Sequence, residues 1–563
     1  EAKEGGAELK LFKTDVSWEK LFNNYTERRN FERKSLPVFM KKCRWFGGKA
    51  KVISKIGIHQ VIPVKADEDT YYMLIIEVHY VQNLPELYFL PLAFLSADNL
   101  IDKVDFTAQS VVCRAELSKE QGFIIDACYE KAFRDFLFRA MDKKVRMKDK
   151  EGSLEFNSSM FVKLNAGNAA VESKVLKADQ SNTAIIYNDT YFFKFYRKIE
   201  REINPDLEII RFLSEKTSFA NSPKYAGSIE YQDKEGKTIV FGLMQEKVEN
   251  QGEAWGMTVD SIGRFYERVL IQFKKGDKLP KLVNKPALSF EDTPEVIQEL
   301  IGRGFYERVV RLGQRTAEMH LALASDTSDS AFAPEPFTAN YQRSLYSTLR
   351  KLVKDRFKLL KNSVMRLPNS GQIFAKRVLE MEDKLLDCFS EIYQVKIEAM
   401  KSRIHGDYHL GQVLFTGKDF VIIDFEGEPG FSFSERRLKK HPFKDVAGMM
   451  RSFHYAAFGK IMLNENYREQ DVEILEQWAE QWQHYVSRFY LGAYMERMGM
   501  SRKLSYEYDV LIRTYILEKA VYELGYELNS RPDWVVIPLR GIVYHMERYF
   551  MEKEENKRKG NSK

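Results

Sequence analysis

The chain has 563 residues, 44% hydrophobic and 30% charged, a balance typical of folded globular proteins that excludes disorder of the whole chain. Its 87 Lys and Arg against 81 Asp and Glu leave a net charge of only +6, which does not mark a nucleic-acid partner. The four cysteines, Cys43, Cys113, Cys128 and Cys388, form no CxxC pair, which argues against a disulfide scaffold or a zinc site and for reduced thiols in a cytoplasm.

Such a length predicts two or three lobes. The apolar runs, among them Tyr71 to Ile76 and Phe420 to Ile423, fall far short of the ~20 residues that cross a bilayer, so no membrane is expected. Glu1 to Leu11 holds neither an initiator Met nor an apolar signal region, and the chain is read as part of a longer one.

In chain order, residues 24–105 alternate short apolar runs with turns and are expected to form a strand-rich cap. An intermediate region, 106–247, follows. Its Phe123 to Met141 stretch carries Phe133, Phe136, Leu137 and Ala140 at helical spacing, and the charged run Asp142 to Glu151 reads as an exposed loop. Three strands are expected next, Val171 to Leu176, Ala184 to Tyr187 and Tyr191 to Tyr196, the last two joined by a turn at Asn188-Asp189. Lys194 lies mid-strand among aromatics. Asn204-Pro205-Asp206-Leu207-Glu208 then has a capping residue, a proline at the first helical position and early acids, so a helix begins there bearing Glu208. A strand lysine and a helix glutamate are the ion pair that positions ATP phosphates in kinases. Just upstream, Gln180, Ser181, Asn182 and Thr183 form a loop without glycine whose amides and hydroxyls suit phosphate oxygens. Thr238 to Glu246 reads as a strand ending in a hinge, with Met244 and Glu246 offered to the adenine edge.

Residues 248–552 are expected to be mainly helical, with Phe305 to Ala324, Leu345 to Leu367, Gly371 to Ala399, Ile474 to Met500 and Val510 to Leu528 as helices. His320 reads as a packed core histidine. The basic tail, 553–563, is expected to be disordered.

The chemistry centres on His405-Gly406-Asp407-Tyr408-His409-Leu410-Gly411-Gln412 and on Asp424 at the end of an apolar strand. Asp407 can accept or orient a hydroxyl proton. Gln412, five positions on, offers a carboxamide oxygen, and Asp424 a carboxylate, to a hard cation such as Mg2+ that bridges the phosphates of ATP. His405 and His409 sit in a loop and are read as bracing it. No GxSxG elbow, HExxH pair or GxxxxGK[ST] loop competes with this centre.

These strings resemble the maltokinase family. The match lies in Arg403 to Leu414 and Ile423-Asp424-Phe425-Glu426-Gly427-Glu428-Pro429, and also in Arg44-Trp45-Phe46-Gly47-Gly48-Lys49, which has Gly47 where the family's RWFAGK has alanine. Asp445 to Phe453 and Glu518 to Glu523 look like further family strings, and Gln412 stands where aminoglycoside and choline kinases ordinarily have asparagine. The resemblance implies an α+β, bilobal, protein-kinase-like (aminoglycoside phosphotransferase-like) fold with an N-terminal cap and a helical C-terminal lobe. It further implies ATP and Mg2+, maltose as acceptor, maltose 1-phosphate as product, and a trehalose synthase domain or subunit as partner. His405, Glu426, Arg451 and Tyr455 are candidate sugar contacts. The alternatives are a kinase of an aminoglycoside, aminoalcohol or other sugar, and a non-catalytic pseudokinase.

Overall fold

The structure, a computed structural model, describes residues 9–66, 68–97, 110–118, 120–162, 164, 171–176, 181–464 and 467–560. It divides into two compact units, one comprising residues up to Glu215 with Pro223–Val248 and Phe431–Glu435, the other comprising Lys216–Ser222, Glu249–Gly430 and the chain from Arg436 onward.

The first unit opens with β1 (Leu11–Thr14), α1 (Trp18–Leu21), α2 (Tyr25–Lys34) and α3 (Leu36–Lys42), followed by β2 (Ile53–Ala66), β3 (Asp69–Tyr80), β4 (Glu86–Ser96), β5 (Val111–Leu117) and β6 (Glu120–Asp126). These strands form a sheet in the order β1-β5-β6-β4-β3-β2. β3 is buried over six consecutive residues, Tyr71 to Ile76, because both faces of the sheet are covered. On one side the small helices pack Trp18, Phe22 and Phe31 around Tyr72, with Trp18 edge-on to Tyr72 at 5.1 Å between ring centres.

After α4 (Lys131–Asp142) come β7 (Arg146–Lys148), β8 (Gly152–Ser158), β9 (Ser173–Val175), β10 (Thr183–Tyr187), β11 (Tyr191–Phe195) and β12 (Lys198–Ile199), then α5 (Pro205–Lys216), β13 (Tyr225–Asp233) and β14 (Thr238–Glu246). A second sheet runs β7-β8-β13-β14-β11-β10-β9, while β12 leaves it to pair with β4 of the first. Asn188 and Asp189, with φ of 50° and 49°, make the tight turn between β10 and β11. Phe89 of β4 stacks on Phe241 of β14 at 4.0 Å and on Phe195 of β11 at 5.0 Å, an aromatic seam between the sheets.

The second unit is helical: α6 (Ala254–Gln272), α7 (Glu295–Ile301), α8 (Arg303–Leu323), α9 (Ala339–Ser363), α10 (Asn369–Leu379) and α11 (Glu382–Gln394) precede the loop of His405 to Gln412. The short pair β15 (Glu335–Pro336) and β16 (Met400–Lys401) leads into that loop, and the hairpin of β17 (Val413–Phe415) and β18 (Phe420–Ile422) follows it. The one-turn α12 (Phe433–Arg436) is succeeded by α13 (Phe443–Met462), α14 (Glu469–Arg497), α15 (Tyr506–Ser530) and α16 (Val536–Gly560). Leucine, valine and phenylalanine side chains of α9, α10, α11, α15 and α16 make one apolar cluster.

Several boundaries differ from the sequence reading. The first sheet runs past 105, because β5 and β6 complete it. The helical spacing seen from Phe123 belongs to α4 only from Lys131, since Phe123 to Asp126 pair with β4. Within the charged run, Arg146–Lys148 pairs with β8. The stretch expected as two long helices is three, with a second break between α10 and α11. Finally, α16 continues into the expected disordered tail as far as Gly560, anchored by Lys553 on Glu391 at 2.9 Å. Among the described residues, no helix is long and apolar enough to cross a membrane. All four cysteines are free and buried.

Candidate active site

The loop that carries Asp407 is fixed by a buried carboxylate on a distant helix. Asp445, in the first turn of α13, accepts the amides of His405 at 2.8 Å and Gly406 at 2.9 Å and the Nε2 of His320 at 2.9 Å. His320 in turn meets the Tyr494 hydroxyl at 2.9 Å through Nδ1. Burial works to raise the Asp445 carboxyl, but the His320 hydrogen bond and nearby positive charge outweigh it and hold the group below its ordinary range. Gly406 takes φ of 88°, a left-handed conformation in which a side chain would be strained. Tyr408 is tied by its hydroxyl to Thr316 at 2.9 Å, and the Leu410 amide to Ser452 at 3.0 Å.

This frame presents Asp407. Lys519 of α15 places its ammonium 3.3 Å from Asp407 and 2.9 Å from Glu428. Burial raises the Asp407 carboxyl, yet Lys519, with His409 and His405 behind it, keeps it below the usual carboxylate range and therefore ionised at neutral pH. For Lys519 the balance is reversed: burial disfavours its charge, but Asp407 and Glu428 outweigh that and raise it. His409 is pushed down, by burial first, and its Nδ1 accepts the Gly411 amide at 3.1 Å.

Gln412 ends the short turn Leu410–Gln412, and its side-chain Nε2 donates to Asp424 at 2.9 Å. Asp424 follows β18 with φ of 63°, an uncommon conformation for a residue with a Cβ. Non-glycine residues held there concentrate at functional sites. The pair offers carboxylate and carboxamide oxygens, the hard donors that suit Mg2+.

In the first unit, Asn204 caps α5, its side chain accepting the Asp206 amide at 2.8 Å, with Pro205 next as expected. Lys194 meets the Asp206 carboxylate at 3.3 Å, two residues before Glu208 on the same helix. The Tyr196 hydroxyl also donates to Asp206, at 3.0 Å. Asn182 and Thr183 are buried and accept Arg197, the first through the backbone amide at 3.4 Å and the second through Nε at 2.8 Å. Ser181 is exposed, and Gln180 lies outside the described residues. Met244 is fully buried, and the Glu246 amide donates to the Lys224 carbonyl at 2.9 Å, which closes that amide to an adenine edge.

The sugar-contact candidates are also redistributed. His405 is buried, with Nε2 on the Ile423 carbonyl at 2.9 Å and Nδ1 accepting the Asp407 amide at 3.4 Å, so it braces the loop against the strand of Asp424. Arg451 is buried and bound to Glu523 at 2.7 Å, while Tyr455 donates to Glu527 at 3.0 Å. Both point from α13 into α15 and serve helix packing. Glu426 remains at the loop after Asp424, 4.0 Å from Arg436. Sequence reasoning missed Lys519 and Asp445 as members of the site. Both stood in strings set aside as family resemblance, without a role.

Residues 39–130 match the maltokinase N-terminal cap domain. Two curated relatives are each named glucosamine kinase. One, from Streptacidiphilus jiangxiensis, is 25% identical over 228 residues, 40% of this chain and 47% of the relative, so the match spans about half of that protein. The other, from Mycolicibacterium smegmatis, is 23% identical over 376 residues, 66% of this chain and 79% of the relative. Among solved structures, a glucosamine kinase in complex with glucosamine, ADP and inorganic phosphate aligns with a TM-score of 0.59 at 15% identity, covering 92% of this chain and 98% of that one. A second crystal form of glucosamine kinase gives 0.60, also at 15% identity, over 92% of this chain and 99% of that one. These likenesses show the fold to be the expected α+β, protein-kinase-like class.

Proposed function

We propose that this chain is an ATP-dependent small-molecule kinase that transfers phosphate to a sugar hydroxyl. The observation that carries this reading is the ionised Asp407, held by Lys519 at 3.3 Å on a loop pinned by Asp445, with Gln412 at the end of that loop bonded to Asp424 just past the β17–β18 hairpin. In this reading Asp407 accepts a hydrogen bond from the acceptor hydroxyl, orients its oxygen for in-line attack on the γ-phosphorus and takes the proton as the new O–P bond forms and the bond to the β-phosphate oxygen breaks, releasing ADP. Gln412 and Asp424 hold Mg2+, which when bound screens the charge of the phosphates. Lys194, steadied by Asp206, contacts the nucleotide phosphates. Lys519 fixes Asp407 in its charged form and in one rotamer, so little reorganisation is needed at the moment of transfer.

For the acceptor we propose maltose, phosphorylated at the anomeric hydroxyl to maltose 1-phosphate and leading toward α-glucan synthesis. The cap match at residues 39–130 supports this choice. A trehalose synthase domain or subunit is the partner that accompanies it. The second reading is an amino sugar, favoured by relatives named glucosamine kinase. Maltose, glucose and glucosamine incubated in turn with labelled ATP and Mg2+ separate the two. A phosphorylated disaccharide as the product of highest kcat/KM is expected. Glucosamine turned over more efficiently than maltose refutes the maltose assignment, and active-site-intact protein that labels no sugar refutes the sugar kinase reading.

A further inference from the structure

We propose that the start of α8 and the adjoining face of α6 form a binding site for a phosphate group, sharing no residue with the Asp407 centre. A cavity of about 230 Å³ opens there, lined by Arg264 and Arg268 of α6 and by Arg308, Gly302 and Gly304 at the head of α8. No acidic side chain is among its lining residues. Arg264 and Arg268 are four residues apart and so share one helix face. Arg268 is already fixed by the carbonyls of Glu299 at 3.2 Å and Leu300 at 3.0 Å, and Arg308 lies over the Phe415 ring at 5.3 Å.

Two independent features call for an acceptor. α8 runs for 21 residues from Gly302, which has φ of 79° and supplies no side-chain cap, so the amides of its first turn face the cavity mouth without a capping oxygen. Ser261 also lines the cavity, is only 8% exposed, and among the described residues its hydroxyl has no hydrogen-bond partner. Guanidinium groups, helix amides and a hydroxyl are all donors. A tetrahedral oxyanion has acceptor oxygens on every side and matches them better than a planar carboxylate. The volume is below the roughly 300–1,000 Å³ of sites that enclose drug-sized ligands. It therefore admits inorganic phosphate, or the phosphate of a monoester whose remainder stays in solvent.

The test is calorimetric titration of the full chain, with its nucleotide site filled by Mg-ADP, against inorganic phosphate and, separately, glucose 1-phosphate. One phosphate per chain is expected. Arg264→Gln should weaken it about tenfold or more, the loss of one charge-assisted hydrogen bond. Gly304→Glu supplies a second variant that folds readily: nothing lies within 4 Å of the new Cβ, and an acid in the first turn favours the helix. It should abolish binding while the circular dichroism and the transferase rate stay unchanged. Comparable binding of both ligands supports recognition of the phosphate group itself. Absence of any titration at millimolar phosphate, unchanged affinity in both variants, or binding of glucose 1-phosphate alone overturns the proposal.

Discussion

Replacing Lys519 with methionine keeps the length of the side chain and removes the charge shared by Asp407 and Glu428. At 3.3 Å from Asp407, Coulomb's law gives about 5 kcal/mol at an effective dielectric of about 20 and about 1 kcal/mol in bulk water. The side chains of Lys519 and Asp407 are 25% and 19% exposed, which places the interaction between those limits, at about 2–3 kcal/mol. That is a bias of roughly 30- to 150-fold toward the ionised carboxylate. Burial alone raises Asp407, and Lys519 is the largest influence opposing it. Without the ammonium the carboxyl must therefore rise, and the acid limb of the pH–kcat profile must move to higher pH. At a pH below the displaced limb the variant loses activity steeply, while well above it much of the rate returns. The assay is sugar phosphate formation at saturating ATP, Mg2+ and acceptor across the pH range, beside a Lys519→Arg control that retains the charge. A methionine variant whose kcat falls equally at every pH, with its acid limb where the parent has it, refutes the electrostatic role and leaves Lys519 as packing only.

Asp407→Asn should abolish sugar phosphorylation while thermal stabilisation by Mg-ATP persists; near-parental turnover would contradict the role given to Asp407. Asp445→Ala removes the acceptor for two backbone amides and His320, a loss of about 3–5 kcal/mol by the measure of broken buried charge networks, read as a large fall in the denaturation midpoint. Gln412→Leu should raise the Mg2+ concentration needed for half-maximal rate, with little change in KM for the sugar; an unchanged Mg2+ dependence removes Gln412 from the metal site. Burial pushes His441 down to about 3 and His484 down to about 2. Their stabilising contribution is complete above the ordinary histidine value near 6.5 and is lost as pH falls toward those folded-state values, about 2 kcal/mol each by pH ~5. Melting temperature should accordingly drop below pH ~6.5, less so in His441→Gln.

The turn that carries Asp407 and Gln412, and Asp424 just past the hairpin that follows it, were legible because their chemistry is written at short range: a short hairpin brings its two ends together. Lys519 and Asp445 were not, since their bonds to the loop span 112 and about 40 positions, and nothing in a helix's own periodicity says which loop its polar residues will face. Asp206, which the sequence reading gave no role, shows the same limit at smaller scale. It meets Lys194 at 3.3 Å, and it is two positions before Glu208 and about 200° from it around the helix axis. Capping by Asn204 fixed where α5 begins but not its rotation about its axis. Arg451 and Tyr455 failed for a related reason. Being four residues apart, they share one face of α13, as do Glu523 and Glu527 on α15, and the two pairs mate as a ladder. Polar and aromatic residues spaced for ligand contact are equally well spaced for a neighbouring helix.

β12 bears on inheritance and engineering. Only two residues separate the end of β11 from Lys198, which joins the cap sheet against Tyr88, and within that gap Arg197 is sealed on Asp126 of β6 at 2.6 Å with no exposure of either side chain. Lys194 thus lies three residues from a buried charge whose counter-ion belongs to the cap. Excising the cap would strand that guanidinium in an apolar setting and release one end of the strand that bears Lys194. The cap is consequently not an interchangeable module in this chain: a chimera that exchanges it must carry its own matching partner for Arg197, and drift in the cap is constrained by the Lys194 strand it grips.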